Sequence, residues 1–95
     1  MKVVWTDASI NELQAIYNFI AQTSILYASR IVDRLTRRSI QIESVPRSGR
    51  MVPEYEADHV REIIEYPYRI IYRIRGEYIE VLSVIHSARL LPEKI

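Results

Sequence analysis

Four side chains in the second half of the chain are of the types that act on a phosphate: Arg69, His86 and Arg89, together with Glu54, which directly follows Pro53. A histidine moves protons near neutral pH, and arginines stabilise the charge that builds on phosphate oxygens. Such a set in one pocket would suit phosphodiester chemistry, with His86 as acid or base and Glu54 as the pocket's carboxylate. Each residue also has a plainer reading. His86 ends an apolar run and could be a satisfied structural residue, and Glu54 lies near Glu56 and Asp58, where a solvated loop acid is ordinary.

Whether these residues form one site depends on the strands that carry them. From Tyr68 to Ile74 one parity reads Tyr68, Ile70, Tyr72, Ile74 and the other reads Arg69, Ile71, Arg73, Arg75, the alternation of a strand with one core face and one basic face. Glycine at the first central position makes Gly76-Glu77 a two-residue type II′ turn into a second strand over 78–86. That turn pairs Arg73 with Glu80, Ile71 with Leu82 and Arg69 with Val84. His86 then lies on the face of Arg69, one diagonal step away. A one-residue slip would put the two on opposite faces.

The remaining elements follow from spacing and punctuation. Residues 1–5 read as a short strand. Thr6 or Asp7 caps a helix that runs to about Gln22, with Ser9-x-x-Glu12 resembling a capping box and Ile10, Leu13, Tyr17 and Ile20 recurring at steps of three and four. A second helix spans about 25–43, with Ala28, Ile31, Leu35 and Ile42 on its apolar stripe and Arg30, Arg34, Arg37 and Arg38 on the exposed side. The short link between them predicts an antiparallel helical hairpin. A loop rich in proline and charge follows, then a strand over 60–64, a turn at Tyr66-Pro67 and the two strands above. The order predicts an α+β domain, in which the helices cover one face of the sheet and the open face displays Arg69, Arg73 and His86.

Ninety-five residues, 48% of them hydrophobic, make a single domain, 1–95, and argue against disorder. No apolar run approaches a bilayer span, and an acid interrupts the N-terminal stretch, so a cytoplasmic protein without membrane association is expected. There is no cysteine and only two histidines, His59 and His86, far apart, so neither a metal nor another cofactor is expected. The net charge of +1 hides an asymmetry: residues 1–50 hold seven Lys/Arg against four Asp/Glu, and residues 51–95 hold six against eight. Eleven of the thirteen basic residues are arginine, which favours carboxylates and phosphates held bidentately. The four helix arginines are a solvated face or a surface for an acidic partner.

The segments "GRMVPE", "VREI", "YRIIYRI" and "VLSVIHSARLLP", in this order behind a strand and a helical hairpin, resemble the RelE/ParE superfamily of toxins from bacterial type II toxin–antitoxin systems, including those of plasmid stabilization. The resemblance covers nearly the whole chain. It implies a strand, a helical hairpin and a three-stranded antiparallel meander completing one sheet. It also implies a cognate antitoxin, bound in a hetero-oligomer with Arg30, Arg34, Arg37 and Arg38 as its docking face. Two targets are open. A RelE-like member would cut mRNA in the ribosome, with Glu54, Arg69 and His86 at the matching catalytic positions. A ParE-like member would poison DNA gyrase without catalytic residues of its own, through contacts from Arg61, Arg69, Arg73, His86 and Arg89. No tyrosine follows His86, and no lysine cluster lies in the strand segments, whereas "HSAR" followed by "LLP" looks ParE-like. That branch is favoured; a degenerate, non-toxic binding module is the third alternative.

Overall fold

The computed structural model describes residues 1–92. Seven elements follow one another: β1 (Lys2–Trp5), α1 (Asp7–Ala21), α2 (Ile25–Ser44), β2 (Arg50–Met51), β3 (Val60–Glu65), β4 (Tyr68–Arg75) and β5 (Tyr78–His86). The strands form one sheet in the order β1-β5-β4-β3-β2, antiparallel except that β1 lies parallel to β5. The α+β fold expected from the order of elements is therefore present, with a two-residue strand added before the meander. No helix among the described residues is long and apolar enough to cross a membrane.

Both helices begin at side-chain caps. Thr6 Oγ1 accepts from Ser9 N, and Ser24 Oγ accepts from Tyr27 N, each satisfying a backbone donor that the first helical turn leaves unpaired. Thr6 alone is the cap, so Ser9-x-x-Glu12 is not a capping box. Glu12 instead accepts from Ser83 Oγ, at 3.0 Å, and from Val84 N, at 3.3 Å, on the part of β5 that β1 does not reach.

The apolar stripe of α2 lands where its spacing puts it. Ile31, Leu35 and Ile42 are buried against Ile63, Ile70 and Tyr72 from β3 and β4 and against Ile79, Val81 and Val84 from β5. Tyr72 is the largest fully buried side chain among the described residues, and its hydroxyl is satisfied both as donor and as acceptor. It donates to Pro46 O at 2.6 Å and accepts from Gly49 N at 3.0 Å. Burying the ring is favourable only because those bonds replace water.

The β4–β5 hairpin keeps its expected turn, with Gly76 at φ +60° in first position and Glu77 in the ordinary region. Arg73 faces Glu80, but the register then breaks. Past Tyr72↔Val81 a β-bulge absorbs Leu82, so Ile71 faces Ser83, Arg69 faces Ile85 and Tyr68 faces His86. One extra residue reverses the side-chain faces of the last half of β5. His86 therefore shares a face with Tyr68 and lies opposite Arg69, which corrects the shared face expected from an unbroken ladder.

A methyl group at Gly49 would lie 2.6 Å from both Glu62 O and the Tyr72 hydroxyl, whereas one at Gly76 would meet nothing within 4 Å. Gly49→Ala should therefore destabilise by about 1–3 kcal/mol through overpacking against backbone. Gly76→Ala should cost only the left-handed conformation, about 1–2 kcal/mol. Urea unfolding of the two variants compares them, and only Gly49→Ala should also disturb the Tyr72 ring environment.

Candidate functional site

Part of the second face of the sheet is covered rather than open. The loop after β2 folds back across it, burying Val52 with Val60 and Ile71 and packing Tyr55, Ala57 and Leu91 against them. Under this cover runs a row of alternating charges. Arg69 on β4 donates from Nε to Glu62 Oε1 on β3 at 2.7 Å, and from Nη1 and Nη2 to the two oxygens of Glu54 at 2.9 and 2.8 Å. Arg50 on β2 donates to the other oxygen of Glu62. The Glu62 side chain is fully buried and that of Arg69 is 7% exposed. Two cations and two carboxylates sum to zero, the condition under which ions tolerate such burial. The planar guanidinium fork lets a single side chain serve both acids.

The same network grips the segment after β5, residues 89–92. Arg69 Nη1 also donates to Arg89 O at 3.2 Å, Leu91 N donates to Glu54 Oε2 at 3.2 Å, and the Tyr55 hydroxyl donates to Pro92 O at 2.6 Å. The Arg69 guanidinium, helped by the Leu91 amide, holds the Glu54 carboxyl down at about 2 from its ordinary 4.5, against the opposing effect of burial. Glu54, ahead of Glu62, in turn pushes Arg69 above its usual value. Glu54 is thus an ionised anchor and a poor match to proton transfer near neutral pH.

His86 stands apart from this network. It is exposed, its Nδ1 accepts from Ala88 N at 3.1 Å, and its ring meets that of Tyr68 edge-on, with centroids 6.0 Å apart at 77°. Phe19 and Ile16 of α1 line the same depression. Glu54 and Arg69 are therefore brought together, whereas the trio with His86 is not. The expectation that Arg69 lies open on the sheet is also corrected. Arg69 is buried, and Arg73 is paired to Glu80 at 2.7 Å.

The other candidate residues divide into tied and free. Arg61 is bound to Asp58 and to Gly49 O at 3.1 Å, and together with Arg47 it holds the Asp58 carboxyl below its usual range. On α2, Arg37 pairs with Asp33, and Arg38 reaches Glu65 and Gln41. Arg30, Arg34 and Arg89 are exposed and take no ion pair among the described residues. Among the same residues no group of three or more His, Asp or Glu side chains is placed to hold a metal ion. Glu62, Arg50 and Tyr55 escaped sequence reasoning. Glu62 left one trace there, a carboxylate at the parity of Val60 and Ile64 within a strand otherwise apolar on that side.

Residues 3–91 match the family described as ParE toxin of type II toxin-antitoxin system, parDE. The chain belongs to the ParE toxin family. Its fold is shared with a solved structure titled "Chromosomal ParDE TA system from P. aeruginosa", at a TM-score of 0.74 and 22% identity, covering 90% of this chain and 95% of that one. No curated protein sequence matches it. Within this ParE toxin the sheet and the helical hairpin are thus parts of a shared fold.

Removing Arg69 strands Glu54 and leaves the fully buried Glu62 with only the exposed Arg50 as a partner. Arg69→Ala should cost about 3–5 kcal/mol, against about 1 kcal/mol or less for Arg50→Ala, whose side chain is 63% exposed. Glu54 has a lower pKa folded than unfolded, so its contribution is complete above pH of about 4.5 and fades as pH falls towards about 2. Stability measured by urea unfolding should fall across that window, by about 1 kcal/mol once solvent screening of this exposed loop residue is allowed for. In Glu54→Gln that part of the drop should be missing.

Proposed function

We propose that the chain is the toxin of a type II toxin–antitoxin pair, that it inhibits DNA gyrase in the cytoplasm, and that a cognate antitoxin silences it by binding in a hetero-oligomer. Family membership supports the toxin role. The observation that carries the choice of target is the neutralised state of Arg69. A ribonuclease on this scaffold needs a cation open to phosphate and an acid or base beside it, whereas Arg69 is buried between two carboxylates, Glu54 is held ionised, and His86 lies on the other face. A poison that acts by contact needs none of these to react.

The free charges support the partner surfaces. Arg30 and Arg34 are exposed, with Arg37 and Arg38 alongside them on α2, and this face suits the acidic part of an antitoxin segment that folds on binding. Apolar side chains near the helical turn, Phe19, Ile25 and Leu26, are 74%, 67% and 64% exposed and suit its apolar part. On the target side, His86 and Arg89 remain reachable, whereas Arg61, Arg69 and Arg73 have partners within the chain.

Controlled induction in a bacterial host tests the target. The gyrase reading expects loss of supercoiling with linear DNA accumulating, messenger RNA left uncut, and His86→Ala still toxic. Codon-phased cuts in messenger RNA with normal supercoiling, together with a loss of about a hundredfold or more in His86→Ala, would overturn it in favour of a nuclease. Neither effect would leave a binding module.

A further inference from the structure

The buried network has a feature that stability alone does not require, its grip on the segment after β5. Three backbone groups of the last described residues are held by its members and their neighbour: Arg89 O by Arg69, Leu91 N by Glu54 and Pro92 O by Tyr55. Leu91 is packed inward against Val52, Val60 and Ile71. The residue before it points the other way. Leu90 is 85% exposed, the most exposed large apolar side chain among the described residues, and Arg89 beside it is exposed without an ion pair there. A leucine, and an arginine without an ion pair among the described residues, are thus displayed from a segment whose backbone is pinned on both sides.

We infer that the Glu54–Arg69 pair is a latch that fixes the terminal segment, and that the Arg89-Leu90 step it displays is an anchor for a protein partner offering an apolar pocket rimmed by a carboxylate. The chemistry follows from the two side chains. A fixed aliphatic group enters a pocket without the ordering cost of a mobile tail, and the adjacent guanidinium pairs bidentately with an acid. Glu54, Arg69 and Tyr55 are then positioning residues. They touch no target and act through the backbone of 89–92. The partner is the protein on which the toxin acts, so this half rests on the gyrase reading; the latch does not.

The latch is tested by amide hydrogen exchange and limited trypsin cleavage after Arg89, followed by mass spectrometry, on the full chain. In Glu54→Gln the Leu91 amide should exchange about tenfold or more faster, and cleavage after Arg89 should accelerate similarly, since a bond to a charged acceptor is lost. Tyr55→Phe, which leaves the ion network whole, should speed both by a smaller factor while the β4 amides keep their protection. Unchanged exchange and cleavage in both variants would overturn the latch. The anchor is tested with purified DNA gyrase as the probe. Leu90→Asp should keep the wild-type melting point and lose about tenfold or more in inhibition of supercoiling, and equal inhibition by Leu90→Asp and wild type would overturn it. A wild-type chain that does not inhibit gyrase would instead remove the gyrase reading and with it this anchor, leaving the latch to the exchange result.

Discussion

A guanidinium set under a loop, in contact with almost no water, has to find carboxylates, and much of the second sheet face of this protein answers that need. Arg69 meets Glu62 from the neighbouring strand and Glu54 from the loop above, and Arg50 completes the neutral row. Once Glu54 is drawn down onto Arg69, the loop that carries it has to lie across the sheet, and Val52 comes with it into a small apolar cluster. The order of cause is from the charge to the loop to the tail. The helix-covered face needs no such device, because interdigitated Ile, Leu and Tyr side chains already exclude water there.

The toxin scaffold could be read in the sequence to the extent that periodicity carried it. Ala28, Ile31, Leu35 and Ile42 recur at helical steps and are buried as a set, and the alternation from Tyr68 to Arg75 puts Tyr72 in the core. In the strand from Tyr78 to His86 both parities are apolar, with Ile79, Val81 and Ile85 on one and Leu82 and Val84 on the other. Period two then says nothing about faces, so the bulge that absorbs Leu82 has no signature, and with it the side of His86 was illegible. Arg69 was misjudged for a related reason. Alternation tells which face a side chain takes but not whether something covers that face, and the cover here is a loop whose residues, Val52 apart, look solvated.

A guanidinium held between two acids has no charge left for phosphate, and an acid held ionised by that guanidinium has little basicity left for protons. In this chain Glu54 and Arg69 form a structural unit with the second acid, Glu62, beneath them. Among the described residues, the charges of Arg30 and Arg34 on α2 and of Arg89 have no ion pair and are exposed.

The central claim, that Arg69 and its two acids stand or fall as one unit, is most directly measured by a double-mutant cycle between Arg69→Met and Glu62→Leu, read by urea unfolding at neutral pH. Each single change takes one of two partners from a buried charge, leaving Glu62 with Arg50 alone or Arg69 with Glu54 alone, whereas the double change removes both of those charges. The double variant is therefore predicted to be destabilised by less than the sum of the singles, with a coupling of about 2 kcal/mol or more. Losses that simply add would contradict the account, since they would mean that the two charges do not depend on each other.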